Sequence, residues 1–143
     1  MRLLLDANVL FSAAHNPGGN ARALFLLVEQ RAVELVTSPF AVEEARRNIA
    51  VKYPERREEL ESLLASLELA VEPNPSLVAL ARAAGVIDKD APILGAAIGA
   101  RVDALVTGDR RHFGPLFGQL VEGVQVLLPA QALAQVMDSM NGA

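Results

Sequence analysis

Four acidic residues, spread along the chain, stand where their carboxylates could act together. Asp6 directly follows the apolar run RLLL, and Asp109 follows LVTG. Both positions are typical of the end of a buried strand, and open α/β sheets bind ligands beyond the carboxyl ends of their strands. Asp90 opens a predicted helix, and Glu44 lies inside another, one turn after a phenylalanine. If the four converge, their hard oxygen ligands favour Mg²⁺ or Mn²⁺.

Each acid also has an ordinary structural explanation. Aspartate is a favoured residue at helix starts, which would account for Asp6 and Asp90. Gly-Asp is common in turns, which would account for Asp109. Most helical glutamates are solvated, as Glu44 would then be. Asp88 competes with Asp90 for a place in the site, so no single acid establishes a site by itself.

The elements that would position these acids alternate between strands and helices. Strands are predicted at 2–5, 33–37, 103–107 and 124–128, and the segment 68–72 is either a strand or an extended link. Helices are predicted at 7–14, 21–31, 39–52, 55–67, 77–85 and from about Asp90 to 100, with a last one opened by Pro129. The small residues of the segment 90–100 indicate tight packing against a neighbouring element.

The strands are apolar throughout rather than alternating, which is typical of a parallel sheet covered on both faces. The predicted fold class is therefore α/β. We expect a three-layer α/β/α arrangement with a central, mainly parallel sheet of four or five strands, in a single domain over residues 1–143.

Composition narrows the function classes. A chain of 143 residues with 52% hydrophobic residues has the common size of one domain and is not typical of disorder. No apolar run approaches the ~18 residues needed to cross a bilayer, and no convincing export signal opens the sequence, so we expect a cytoplasmic protein. The absence of cysteine excludes disulfides, thiolate zinc sites and a cysteine nucleophile. The formal net charge of −4 means that any nucleic acid must be held locally rather than by overall charge.

Four short motifs resemble, in order and spacing, those of the PIN-domain nucleases over nearly the whole chain. LLLDANVL is similar to the family's first strand, with Asp6 as the first metal-binding acid and Asn8 as the polar residue after it. SPFAVEEARRNI is similar to the family's serine-led helix and places Glu44 on its acidic position. DAPILGAA, led by Asp90, and DALVTGDRRHF, which carries Asp109, resemble the third and fourth motifs. This last pair, at its spacing, is the most specific part of the resemblance.

The resemblance implies a small metal-dependent ribonuclease. It assigns the four acids to catalysis and to binding of Mg²⁺ or Mn²⁺, with Asn8, Ser38 and Thr107 as neighbouring groups that orient the carboxylates. It implies hydrolysis of RNA phosphodiester bonds that leaves a 5′-phosphate. Within the family the likeness is to small stand-alone prokaryotic PIN proteins, including VapC-like toxins of toxin–antitoxin pairs. This implies a cognate antitoxin and a homodimer.

Substrate contacts are predicted from basic residues near the acids, namely Arg46, Arg47, Arg110 and Arg111, with Lys52 and His112 beside them. The chain has one tyrosine and no tryptophan, so the sequence predicts no aromatic platform for stacking bases. Neither histidine, His15 or His112, has the spacing of a paired metal or acid–base site, and neither is given a catalytic role.

Two other functions compete with the nuclease. An aspartyl-phosphate phosphotransfer domain also places an aspartate at a strand end, but its usual second acid, two residues on, is replaced here by Asn8. A PIN-like protein without catalysis, acting as an RNA- or protein-binding module, is the other alternative. Retention of all four acids argues against it.

Overall fold

The computed structural model describes residues 1–142. Over these residues the strands are β1 (Arg2–Leu5), β2 (Glu34–Thr37), β3 (Glu68–Leu69), β4 (Ala104–Val106), β5 (Leu120–Val121) and β6 (Val124–Leu127). The α-helices are α1 (Ala7–His15), α2 (Asn20–Leu26), α3 (Pro39–Lys52), α4 (Arg57–Leu64), α5 (Pro75–Ala83), α6 (Ala91–Gly99), α7 (Arg110–Phe113) and α8 (Pro129–Asn141). Short 3-10 helices lie at Pro54–Arg56 and Gly114–Leu116.

The strands form one sheet in the order β3-β2-β1-β4-β6-β5, and all neighbouring pairs are parallel except β5 with β6. The helices cover the sheet in a three-layer α/β/α arrangement, which confirms the predicted fold class. At the centre, Leu4 of β1 pairs with Val36 of β2 on one side and Leu105 of β4 on the other. These side chains are fully buried, so the central strands carry the core. Because β1 and β4 are adjacent and parallel, the residues that follow them emerge at the same edge of the sheet.

The sheet has six strands, whereas four or five were predicted. The additional strand is β5, which forms a hairpin with β6 through the two-residue loop Glu122 and Gly123. Both loop residues have positive φ, 49° and 85°, as the tight hairpin turn that suits the strand twist requires. Glutamate is not a typical residue at the first of these positions, so the turn gave little signal in the sequence.

Other element boundaries also differ from the prediction. The segment 68–72 forms a strand only at Glu68–Leu69. The predicted helix 21–31 begins at Asn20 and ends at Leu26, because the chain must turn back to enter β2 and reaches a positive φ of 57° at Arg31. The helix predicted at 55–67 begins as the 3-10 turn Pro54–Arg56 and continues as α4.

Helix α6 packs closely against α5 through its glycines, as the small residues predicted. A Cβ on Gly95 would lie 3.3 Å from the backbone carbonyl of Leu77, and one on Gly99 would lie 2.8 Å from the Leu77 Cδ1. A larger side chain at Gly95 would therefore press on the backbone of α5, whereas at Gly99 the end of the Leu77 side chain would have to move aside. This contact holds the helix that Asp90 precedes against its neighbour.

We expect Gly95→Leu to lower the free energy of unfolding by about 1–3 kcal/mol, because overpacking a close helix contact forces the backbone apart. Ala79→Leu, at an exposed position of α5, is the matched control and should change stability by less than about 0.5 kcal/mol. Urea denaturation of the three proteins measures the difference. Equal midpoints would show that α5 and α6 can separate without cost.

Within residues 1–142, none of the helices combines the length and the apolar character required to cross a bilayer.

Candidate active site

A cleft of about 270 Å³ opens at the edge of the sheet where β1 and β4 end. Carboxylates from four separate parts of the chain line it, namely Asp6, Glu44, Asp90 and Asp109. The other lining residues are Ala7, Asn8, Phe11, Phe40, Asn48, Lys52, Lys89, Ile93 and His112. The structure therefore brings together the four acids that the sequence singled out.

Two of the acids are both helix caps and cleft residues. Asp6 follows β1 and its Oδ1 accepts a hydrogen bond from the Ala7 N–H, 2.8 Å away, at the start of α1. Asp109 Oδ1 accepts one from the His112 N–H, 3.0 Å away, at the start of α7. Each of these carboxylates can thus cap a helix with one oxygen and still present its second oxygen to the cleft.

Glu44 and Asp90 reach the cleft from helices whose starts are well defined. Ser38 begins α3, as predicted, and its Oγ accepts a hydrogen bond from the Ala41 N–H at 3.0 Å. Proline in the first turn of α3 fixes the same start, and Glu44 lies one and a half turns further on. Asp90 stands at the N-cap position of α6, but its side chain makes no capping hydrogen bond, so the carboxylate is directed into the cleft.

A network of hydrogen bonds fixes the Asp6 carboxylate. The Thr107 hydroxyl donates to Asp6 Oδ2 at 2.9 Å, and the Asn8 amide donates to the same oxygen at 3.2 Å. Thr107 Oγ1 in turn accepts from the Asp109 backbone N–H at 3.1 Å, and Asn8 Oδ1 accepts from the Gly108 N–H at 2.8 Å. Two of the predicted orienting residues, Asn8 and Thr107, therefore tie the end of β1 to the loop after β4.

His112 lies between two of the carboxylates. Its Nδ1 is 3.0 Å from Asp90 Oδ2 and 2.8 Å from Asp109 Oδ2. These distances are short, but neither contact is a hydrogen bond, and both Asp90 Oδ2 and His112 Nδ1 are buried without a hydrogen-bond partner. A buried carboxylate oxygen without a donor is costly unless a cation satisfies it.

Burial makes the ionised cluster unfavourable on its own. Burial raises the pKa of Asp6, and the nearby carboxylates of Glu44 and Asp90 act in the same direction, although hydrogen bonds from Ala7 and Thr107 oppose the change. Burial also raises the pKa of Asp90, where Asp109 and Glu44 add to the effect and His112 and Lys89 oppose it. The cleft thus holds acids that a cation would help to ionise.

The donor set fits a divalent ion. One ligand atom each from Asp90, Asp109 and His112 lie within 4.8 Å of one another, and Asp6 and Glu44 line the same cleft. Carboxylate oxygens are the ligands that Mg²⁺ and Mn²⁺ prefer. Asp90 Oδ2 and His112 Nδ1, both buried and neither in a hydrogen bond, are two ligand atoms that such an ion could contact.

The remaining predicted residues lie outside the cleft lining of the described chain. Ser38 is buried and acts as the cap of α3. Arg46 and Arg47 line a different hollow, between α3 and α4, where Arg46 forms an ion pair with Glu61 at 2.6 Å. Arg110 and Arg111 are exposed at the start of α7. The competing acid, Asp88, is exposed and contacts Arg82 at 3.1 Å.

Four polar residues of the cleft were not predicted to belong to the site, or were noted only as basic neighbours of the acids: Asn48, Lys52, Lys89 and His112. Asn48 and Lys52 follow Glu44 at intervals of four, so the helical period could have found them. His112 had no such signal, because its contact with Asp90 depends on the tertiary fold.

The fold and the cleft define an α/β protein with a carboxylate-lined site at the ends of its central strands. The family model of the PIN domain matches residues 2–111. The chain therefore belongs to the PIN-domain family. PIN domains are typically nucleases that use divalent metals, which supports a hydrolase at the level of class.

Solved structures share the fold at low sequence identity. PAE2754 from Pyrobaculum aerophilum is 17% identical, with a TM-score of 0.67 over 96% of each chain. VapBC2 from Rickettsia felis, bound to a DNA fragment from its promoter, is 16% identical, with a TM-score of 0.65 over 90% of this chain and 98% of the other. FitAcB from Neisseria gonorrhoeae is 23% identical, with a TM-score of 0.55 over 90% of this chain and 98% of the other. A comparison with curated protein sequences gave no significant match.

Proposed function

We propose that the chain is a Mg²⁺- or Mn²⁺-dependent endoribonuclease and the toxin of a toxin–antitoxin pair. The observation that carries the proposal is the convergence of Asp6, Glu44, Asp90 and Asp109 on one cleft at the carboxyl ends of β1 and β4. Membership of the PIN-domain family supports the hydrolytic class, and the oxygen ligands support the choice of ion.

In this proposal the acids share the binding of the ion. Asp6, Asp90 and Asp109 hold it directly or through water, and Glu44 ligates it or orients a water molecule. A bound divalent ion would neutralise the carboxylates, lower the pKa of a water molecule and stabilise the charge that develops on the phosphate and leaving group. Asn8 and Thr107 keep the Asp6 carboxylate in place through the hydrogen bonds described above.

The cations at the cleft would hold the substrate. Lys52 and Lys89 line the same cleft as the carboxylates and can contact phosphates on either side of the reacting one. Contacts from Arg46, Arg47, Arg110 and Arg111 stay a prediction, and the ion pair of Arg46 with Glu61 makes it the least available of the four.

The proposal is tested by incubating purified protein with Mg²⁺ or Mn²⁺ and a single-stranded RNA that is labelled, in parallel samples, at its 5′ end or at its 3′ end. We expect internal cleavage, fragments carrying a 5′-phosphate on the downstream product, and full inhibition by EDTA. Because metal-activated water does not need the ribose 2′-hydroxyl, EDTA-resistant cleavage that leaves a 2′,3′-cyclic phosphate would contradict the mechanism. No cleavage of any RNA tried would favour the non-catalytic binding module.

The toxin assignment includes a cognate antitoxin, a homodimer and a place in the cytoplasm. The fold is shared with chains of the VapBC2 and FitAcB structures, which supports the assignment to a pair of this kind. A small upstream reading frame that encodes a DNA-binding protein, and co-purification of its product with this chain, are the expected results. Light scattering of the chain alone measures the dimer.

Removal of the Thr107 hydroxyl should weaken the site without weakening the fold to the same degree. We expect Thr107→Val to lower activity or the affinity for Mn²⁺ about 10–100-fold, since groups that orient metal ligands have effects of this size. Thr37→Val is the matched control, because Thr37 is equally buried and its hydroxyl donates to the Leu5 carbonyl, at 2.8 Å, rather than to a carboxylate. Titration with Mn²⁺ measures the affinity for the ion, and cleavage rates at saturating metal measure the activity separately. The same loss in both variants would show that the effect is structural.

A further inference from the structure

An aromatic cluster continues the carboxylate cleft at the surface between α1 and α3. The cluster consists of Phe11, His15 and Tyr53. The His15 and Tyr53 rings are stacked, with centroids 4.7 Å apart and an interplanar angle of 15°, and Phe11 lies 4.7 Å from His15 and 5.7 Å from Tyr53. Phe11 is at the same time a lining residue of the cleft.

The cluster is accessible and its position is defined. Tyr53 is 38% exposed, and Phe11 and His15 are half-buried. The Tyr53 N–H donates to the Ile49 carbonyl at the end of α3, and Pro54 follows directly, which restricts the backbone of the preceding residue. Such aromatic rings, partly buried and partly open, offer a preformed surface for stacking.

A cation stands beside the rings. The Lys52 Nζ lies 5.5 Å from the centre of the Phe11 ring, and Lys52 also lines the carboxylate cleft. On α3 the residues Phe40, Glu44, Asn48 and Lys52 recur at intervals of four and line this cleft. The face of α3 therefore leads from the acids to Lys52 and the aromatic cluster.

We propose that the aromatic cluster and Lys52 form a subsite for one nucleobase and its phosphate in a single-stranded RNA whose backbone enters the carboxylate cleft. A strand of this kind alternates phosphates with flat bases, and proteins that bind single strands combine cations with aromatic rings in the same way. Eight residues of helix separate Glu44 from Lys52, or about 12 Å along the axis. This is more than three times the ~3.4 Å step between stacked nucleotides of one strand, so the base belongs to a nucleotide about three steps along the strand rather than to the one that is cleaved. The subsite rests on the proposed nuclease function and adds to it a contact that depends on the base.

The fluorescence of Tyr53 provides a direct test, because it is the only tyrosine and the chain has no tryptophan. The protein is titrated, with Ca²⁺ in place of Mg²⁺, with a single-stranded oligoadenylate of about eight nucleotides, within the range of single-strand site sizes. An abasic oligomer with the same backbone is the control. We expect quenching by the adenine oligomer, little quenching by the abasic one, and affinity for the abasic oligomer about tenfold lower, since base–aromatic stacking has effects of this order.

Variants of Tyr53 test the same subsite by fluorescence anisotropy of the labelled oligomer. Tyr53→Leu should lower the affinity for the adenine oligomer to about that for the abasic one, whereas Tyr53→Phe should retain the difference because it keeps the ring. Thermal melting of each variant verifies that it is folded.

Equal affinities for the two oligomers, with unchanged Tyr53 fluorescence, would overturn the subsite, as would the absence of binding. If the protein cleaves RNA under Mg²⁺ in spite of such a result, the nuclease proposal stands and only the subsite fails. Quenching by the adenine oligomer without any cleavage of RNA would support the subsite and contradict the nuclease proposal. If the cluster binds a protein partner instead of RNA, the two oligomers should bind equally or not at all, and the Tyr53 fluorescence should not change.

Discussion

Asp90→Asn is expected to lower Mg²⁺-dependent RNA cleavage by at least about 10²–10³-fold, the loss found when a single group that stabilises transition-state charge is removed. Asp90 Oδ2 is buried, lacks a hydrogen-bond donor and lies in the same cleft as the other three acids. The asparagine side chain has the same shape but no charge to attract the ion. Asp6→Asn should have an effect of similar size.

Matched controls come from acids that neighbour the site in sequence but not in space. Asp88→Asn changes an exposed residue, two positions before Asp90, that contacts Arg82. Glu43→Gln changes a residue next to Glu44 in the sequence. Glu43 lines the hollow between α3 and α4 instead of the cleft. Both variants should cleave within about twofold of the unaltered protein, as surface changes away from a site usually do. Cleavage by Asp90→Asn at the unaltered rate would assign the activity to another site or to a contaminant.

Much of the fold was predictable because its strands are apolar and its helices have clear starts. The run RLLL and the segment ALV became the central pair β1 and β4, and Ser38 capped α3 as predicted. The neighbourhood of Asp6 and Asp109 followed from a general property of parallel sheets, in which adjacent strands end at one edge. The β5–β6 hairpin was missed because its turn uses Glu122 at a positive φ, where asparagine or glycine is usual.

The environment of the acids was less predictable than the acids themselves. The contacts of His112 with Asp90 and of Phe11 with Tyr53 join residues that are distant in the sequence. They exist only because α7 lies beside the start of α6 and because α1 packs on α3. Composition alone, with a single tyrosine, argued against an aromatic surface. The helical period could have shown that Arg46 does not share the face of Glu44. A residue two positions after Glu44 is rotated by about 200° around the helix, and Arg46 lies on the side of α3 that faces α4.

The stability of the protein should depend on pH in opposite directions with and without a divalent ion. Burial raises the pKa of Asp6 and Asp90 in the folded chain above the ordinary aspartate value of about 3.9. The folded state therefore holds more protons than the unfolded state between the ordinary and the raised pKa. By linkage, the stabilising contribution is complete below the ordinary value and is lost as the pH rises through the raised one.

In EDTA we therefore expect the free energy of unfolding to fall as the pH rises above about 4 through the raised pKa values of these acids. Glu61 and Glu68 act in the other direction, because Arg46 and Arg2 lower the pKa of their respective partners, but these groups are exposed and solvent screens them. Urea denaturation at several pH values measures the sign. A free energy of unfolding that rises over this range in EDTA would contradict the effect of the buried acids.

Addition of Mg²⁺ or Mn²⁺ at neutral pH should reverse this loss, because the ion binds the ionised carboxylates of the folded chain. At an ion concentration of about a hundred times Kd the gain in free energy of unfolding is about 2.7 kcal/mol, or roughly 6–10 °C in Tm for a chain of this size.

Asp90→Asn should raise Tm in EDTA at pH 8, since it removes one charge from beside Asp109, and the variant should lose most of the response of Tm to the ion. Asp88→Asn should behave as the unaltered protein in both respects. A loss of activity together with a higher Tm in EDTA for Asp90→Asn would show that the Asp90 carboxylate lowers the stability of the metal-free fold. This is expected of a residue that is kept for its chemistry. An unchanged Tm on addition of either ion would instead show that the four acids do not form a metal site.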